Sequence, residues 1–247
     1  MGRMGNALFQ VATIYAYALD YDLEFTIPFE TSNKIWSPIY FTHLQSKNYD
    51  RNKKTVIIKE QQFHHYELPY YDYMKDCNVI FEGYFQSYKR FEHRRKEILS
   101  ALNLPYELKK DTVSIHARYG DYLTIKGKHI IIDEDYLKKA MALITEKTGI
   151  TKFKVFSDDL DLFKQRHGDL YDFEYSTNKN EMEDLIGISC CHSQINSSST
   201  FSWWGAWLNQ NPDKIVTTQS RWFQNGWKET NREVLTDDLI PLNWIKL

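Results

Sequence analysis

The sequence predicts an α/β protein in which helices cover a parallel sheet. Three observations carry that expectation. From residue 112 onward, short β-branched and aromatic runs alternate with amphipathic stretches. Of the 247 residues 42% are apolar, enough for the core of one large domain or two modest ones. A proline among charged neighbours in "LNLPYELKKD", residues 102–111, divides this regular part from a less regular first part. The alternation is diagnostic because parallel strands need a long crossover, usually a helix, whereas antiparallel strands are joined by short turns.

Taken in order, "GRMGNALFQVATIYAYALDYDL" at 2–23 reads as a glycine turn leading into a helix. Asn6 is its expected N-cap, and Leu8, Val11, Ala12, Tyr15 and Leu19 form its apolar face. Strands are expected at "LEFTIP", "TVIIK" and "VIFEGYF", then an amphipathic helix burying Phe91, Ile98, Leu99 and Leu102. Residues 31–54 read as irregular and polar. The second part alternates strand "TVSIHA", helix "DEDYLKKAMALITEKTG", strand "KFKVFSD", a short helix, strand "YDFEY" and helix "NEMEDLIGISCC". It continues with strand "SQINSS", helix "TFSWWGAWLN" and strand "DKIVTTQ". The expected division is 1–105, 106–225 and a tail, 226–247, packing back across the two halves.

Composition excludes several function classes. A net charge of -2, with no basic block longer than "HRRK" at 93–96, does not favour a nucleic-acid groove, so any anion must be held locally. Three cysteines, with Cys190 and Cys191 adjacent, give neither metal-ligand spacing nor a disulfide framework. With no apolar run of about 20 residues and no secretory pattern, a cytoplasmic protein is expected. Aromatic content is 15%, which serves sugar stacking or core packing; for any single ring the core is the default.

Ligands of open parallel sheets sit outside the carboxyl ends of the strands. That rule singles out His116, Arg118 and Asp121 after one strand, Ser157, Asp158 and Asp159 after the next, and Asn196 to Thr200 after a later one. Arg118 carries a planar fork suited to phosphate oxygens. "INSSSTFSWW" sets Asn196, Ser197, Ser198, Ser199 and Thr200 before Phe201 at the start of a helix, where free N–H groups favour anions. An N-cap by Ser199 or Thr200 is the plainer alternative. "SDD" at 157–159 suits either a divalent cation or the N–H groups of a purine, and the histidine and arginine nearby favour the purine. Gly2 and Gly5 either admit a ligand close to the backbone or make a tight turn.

Five motifs, "GRMGNALFQVA", "FEGYFQSYKRF", "VSIHARYGDYL", "VFSDD" and "CHSQINSSSTFSWWGAWLN", resemble in order and spacing the alpha-1,2-fucosyltransferases of glycosyltransferase family 11, from residue 2 to about 225. The resemblance implies a GT-B-like architecture, two Rossmann-type halves facing across a cleft. The strand that most relatives carry before the glycine turn is not in this sequence, so a shortened first half is expected. It further implies GDP-fucose as donor, held mainly by the second half, and a galactose-containing acceptor, with no metal cofactor. His116 and Arg118 would meet the donor, Arg118 at its diphosphate. Asp158 or Asp159 would read guanine, Ser197 to Thr200 would touch phosphate with Asn196 and Phe201 also binding substrate, and Gly2, Gly5 and Asn6 would face the sugar. Asp121 is the candidate base for an inverting displacement. Tyr119 stands where the family usually has a second arginine. Two other readings stay open: a binding protein without turnover, and a metal-dependent enzyme centred on "SDD". Acceptor choice is expected in the loops of residues 30–75, where "QQFHHYELPYYDY" either lines such a pocket or forms a packed aromatic surface.

Overall fold

The computed structural model describes residues 3–27, 50–60, 67–124, 129–224, 228–229, 232–233 and 236–247. The chain forms two compact units, Met1–Leu104 with Val234–Pro241, and Pro105–Glu233 with Leu242–Leu247.

In the first unit, α1 (Met4–Asp20) buries Met4, Leu8, Phe9, Val11, Ala12, Ala16 and Tyr17. Its N-cap is Arg3, so the helix starts earlier than the Asn6 cap anticipated, and Asn6 lies in its first turn. Asn6 Oδ1 is instead taken by Gln86 Nε2 at 2.9 Å, a tertiary bond that local capping rules cannot foresee. Leu19 is exposed at the end of the anticipated face, where Tyr17 provides the packing through rings of Tyr21, Tyr70 and Phe81. The strand expected at "LEFTIP" is absent among the described residues: 23–26 are irregular and residue 27 makes only an isolated bridge. Three alternating apolar residues favour an extended chain, but a strand also needs a partner ladder.

Strands β1 (Thr55–Lys59) and β2 (Asn78–Glu82) pair in parallel, Thr55 opposite Asn78 and Lys59 opposite Glu82. β2 stops before the anticipated Phe85 because Gly83 (φ +155°) and Phe85 (φ +54°) leave the extended region. Helix α2 (Arg95–Leu102) buries Ile98 and Leu102 and ends on Asn103 in a left-handed conformation. Phe91 precedes the helix and is buried edge-on against Phe9, and Leu99 is only half-buried.

The second unit follows the anticipated rhythm closely. Its elements are β3 (Lys109–Ala117), α3 (Glu134–Thr148), β4 (Lys152–Ser157), α4 (Leu160–His167), β5 (Glu174–Tyr175) and α5 (Glu181–Ser189). They continue as β6 (Cys191–Asn196), α6 (Thr200–Leu208), β7 (Val216–Thr218), a β8–β9 hairpin (Lys228–Glu229, Arg232–Glu233) and β10 (Ile245–Lys246). Cys191, expected in a helix, opens β6. Asp133, Asp159 and Asn180 accept backbone N–H bonds at the starts of α3, α4 and α5. Six strands form one parallel sheet in the order β10-β7-β6-β3-β4-β5. One face packs Val113, Ile115, Val155 and Ile195 against Leu137, Ala140 and Ile144 of α3. The chain grows outward from β3 to β5, then returns to β3's other side to add β6. The reversal falls between β3 and β6, where such sheets bind ligands.

Candidate active site

At the carboxyl end of β3, His116 stands in register with Asn196 of β6, which stands in register with Thr218 of β7. Ladder bonding continues past the strand, Ser197 N–H donating to His116 O at 3.2 Å. The His116 imidazole is buried, its Nδ1 3.1 Å from Ser197 Oγ and its ring 5.2 Å from that of Phe201. Burial, reinforced by the charge of Arg118, lowers its pKa to about 3, so the ring is neutral at physiological pH.

Arg118 sits between two carboxylates. Its Nη1 lies 2.7 Å from Asp158 Oδ2 and its Nη2 2.6 Å from Asp121 Oδ1, with the side chain 12% exposed. A guanidinium has five N–H donors, so these contacts leave others for a ligand. The second oxygen of Asp158 accepts the Tyr119 N–H at 2.9 Å, which ties the ends of β3 and β4 together. Gly120 makes this closure possible: a Cβ there would lie 2.5 Å from Asp158 Oδ2. Asp159 is the cap of α4, accepting Leu162 N–H at 2.9 Å. The two acids of "SDD" therefore do different work.

The serine run is equally divided. Ser198 is fully buried and its hydroxyl is held inside the loop, 3.1 Å from Gln219 Oε1 and 3.0 Å from Arg221 O. Ser199 occupies the N-cap position of α6, yet its side chain makes no capping bond. That leaves first-turn N–H groups of a nine-residue helix without the usual side-chain acceptor. Asn196 is 1% exposed, and among the described residues neither its Oδ1 nor its Nδ2 has a partner; the hydroxyls of Thr218 and of Ser202 in the first turn of α6 are in the same state. Buried polar groups of native proteins are almost always bonded, so these groups are exceptions near the ends of β6 and β7.

Tyr122 joins the two strand ends. Its hydroxyl donates to Ser198 O at 3.0 Å, and the Arg118 guanidinium lies 5.7 Å from its ring centre. Burial raises its pKa to about 12, so it acts as a neutral phenol. Sequence reasoning missed Tyr122, although its place in "ARYGDY" is a signal. It also missed Gln219, which nothing in "VTTQS" distinguishes. Tyr119 is fully buried in the sheet core, with the Arg166 guanidinium 5.8 Å from its ring centre.

The second unit thus gathers His116, Arg118, Asp121, Asp158, Asn196, Ser197, Ser198, Ser199, Thr200 and Phe201 on three adjoining strand ends, those of β3, β4 and β6, with Asp159 beside them. Gly5 and Asn6 belong to the first unit, and Gly2 lies outside the described residues. Among the described residues no three His, Cys, Asp or Glu side chains come together as a metal site, and no helix is long and apolar enough to cross a membrane.

The chain matches Glycosyl transferase family 11 over residues 1–245. It is 31% identical over 210 residues to the O-antigen biosynthesis glycosyltransferase WbnK of Escherichia coli, covering 73% of this chain and 67% of that one. It is 27% identical over 188 residues to the alpha-1,2-colitosyltransferase of Escherichia coli, covering 69% and 63%. It is 23% identical over 238 residues to the galactoside alpha-(1,2)-fucosyltransferase 2 of Oryctolagus cuniculus, covering 84% and 65%. The chain spans about two thirds of the length of these relatives. Among solved structures it is similar to POFUT1 in complex with GDP-fucose, with a TM-score of 0.50 and 14% identity over 88% of this chain and 95% of that one. That likeness concerns the fold, a mixed α/β, GT-B-like architecture. With the family match running across nearly the whole sequence, the chain belongs to glycosyltransferase family 11.

Proposed function

We propose that this family 11 enzyme transfers L-fucose from GDP-β-L-fucose to O2 of a galactoside, with inversion to an α-1,2 linkage. The supporting observation is the junction of Arg118 with the uncapped start of α6, bridged by Tyr122 at the β3/β6 switch point. The leaving group is GDP, and negative charge grows on its diphosphate as the glycosidic bond breaks. A guanidinium with donors to spare and first-turn N–H groups stabilise that charge without reorganising. The buried Asn196 amide and the hydroxyls of Ser197, Ser199 and Thr200 supply neutral hydrogen bonds beside them. No metal is required by this scheme. Asp159 has an oxygen left over from capping α4 and is the better reader of guanine N–H groups, since both oxygens of Asp158 are engaged.

Asp121 is assigned a positioning role. A carboxylate 2.6 Å from a guanidinium is a weak proton acceptor but a good anchor, and here it fixes the fork of Arg118. A second reading, nucleotide-sugar binding without transfer, draws support from Tyr119, whose buried ring leaves no second cation directly after Arg118.

The test is GDP release from GDP-fucose with galactose-terminated acceptors, with and without EDTA. GDP-mannose serves as a control donor, and GDP-colitose is run beside it because one relative is a colitosyltransferase. Acceptor-dependent release that survives EDTA supports the proposal. Binding of GDP-fucose without release, across the acceptor panel, supports the second reading, and loss with EDTA returns the metal-dependent one.

A further inference from the structure

Gln219 follows β7 directly, reaches two loops at the carboxyl end of the sheet, and has no part in the scheme above. Its backbone is fixed from the β10 side, where Leu247 N–H donates to Thr218 O at 3.0 Å and Ser220 N–H donates to Leu247 O at 2.7 Å. The residue is buried, and both ends of its amide are engaged. Oε1 accepts Ser198 N–H at 3.2 Å and lies 3.1 Å from Ser198 Oγ, while Nε2 donates to Ile131 O at 3.2 Å. The amide fits in this orientation alone, because a backbone N–H only donates and a carbonyl only accepts. One glutamine thus ties the loop between β6 and α6 to the segment that leads into α3.

The loop it holds needs an anchor from outside. A helix start is ordinarily secured by the side chain of its N-cap, which fixes the turn and occupies a first-turn N–H group at the same time. Ser199 makes no such bond. Securing α6 in the ordinary way would place a hydroxyl on N–H groups that an anion can use. The turn is held instead one residue earlier and from behind. Ser198 directs its polar groups inward: its N–H goes to Gln219, its hydroxyl is shared between Gln219 Oε1 and Arg221 O, and its carbonyl accepts from Tyr122. Gln219 serves two of these three groups.

We infer that Gln219 is a positioning residue for departure of the diphosphate: it sets the turn at residues 197–199 so that α6 can begin without a cap of its own. It acts through Ser198 and not on the substrate. The inference rests on the reading of the α6 start as the diphosphate site. A turn already in place meets the charge that develops as the glycosidic bond breaks without first reorganising, so its loss reaches kcat as well as GDP affinity.

The experiment compares the full chain with its Gln219→Met, Ser198→Ala and double variants, and with Arg118→Ala as a reference. GDP affinity is measured by calorimetry, transfer from GDP-fucose by initial rates and stability by urea unfolding. Methionine keeps the length of the side chain and removes both ends of the amide. The expected result is about tenfold weaker GDP binding in Gln219→Met, with a fall in kcat of at least that size, and about threefold weaker binding in Ser198→Ala. The double variant should lose about tenfold, because both side chains hold one turn. A loss of about thirtyfold there would mean two independent effects and would overturn the inference. So would lower urea stability with GDP affinity and kcat unchanged, which would make the contact purely structural. Ser198→Ala keeps the backbone bond to Gln219 and carries the test if Gln219→Met folds poorly. Unchanged affinity in Gln219→Met beside weakened binding in Arg118→Ala removes this inference alone, and a wild type that does not bind GDP removes the proposed function with it.

Discussion

Each unit places an arginine among carboxylates beyond a parallel strand, and the two arginines are used in opposite ways. Beyond β2, Arg90 is 2% exposed and closed on Glu60, itself 7% exposed, beneath a strained loop. Beyond β3, Arg118 is 12% exposed and shared between Asp121 and Asp158, which are 44% and 23% exposed. The first pair is sealed and serves the fold. The second lies at the surface of a switch point, beside an uncapped helix start, where a guanidinium can exchange a carboxylate contact for a phosphate contact. What separates the two arginines is therefore solvent access, not the ion pair, and the proposed function uses the accessible one.

The largest expected effect breaks the functional side of this contrast. Arg118→Ala should reduce fucosyl transfer about a thousandfold while melting within a few degrees of wild type; a variant retaining near-normal turnover would remove the leaving-group account. The mirror experiment is Arg90→Met. It should cost roughly 3–5 kcal/mol of stability by stranding Glu60, seen in urea unfolding, and pairing it with Glu60→Gln should restore much of that loss. No recovery in the double variant would mean that Arg90 acts through packing on Phe85 instead.

Asp121→Asn sharpens the comparison further. As an anchor, Asp121 should show itself as about tenfold weaker GDP binding with a smaller change in kcat. A collapse of kcat with GDP affinity intact would identify it as the base.

A pH-dependent effect concerns His116. Its pKa falls from 6.5 to about 3 on folding, so the unfolded chain binds the extra proton between these values. Its contribution to stability is complete above about pH 6.5 and is lost as pH falls toward 3. Between pH 4 and 6, wild-type stability should decline with acid more steeply than that of His116→Asn, by up to about 1.4 kcal/mol per pH unit. Parallel curves would show that the imidazole is already solvated.

The same contrast explains what is legible in the sequence. The second unit is readable because its strands and helices alternate without interruption, and the strand-end rule then picks out His116, Arg118 and Asn196 from residue order alone. The partition of the acids is not readable: nothing in "SDD" says that Asp158 turns to Arg118 while Asp159 caps α4. Nor does "NSSST" reveal that Ser198 is locked on Gln219, a bond spanning 21 residues. In the first unit, "LEFTIP" has a strand's alternation but no strand partner among the described residues, and the Asn6 cap yields to a contact with Gln86, 80 residues away. Local pattern reports what a segment prefers, and long-range bonding decides which preference is realised.

The most direct test of the central claim is a calorimetric titration of GDP into the wild-type chain and into Arg118→Ala. The expected result is clear binding by the wild type and at least about thirtyfold weaker binding by the variant. Equal affinities would contradict the claim that the β3/β6 switch point, through Arg118, holds the diphosphate.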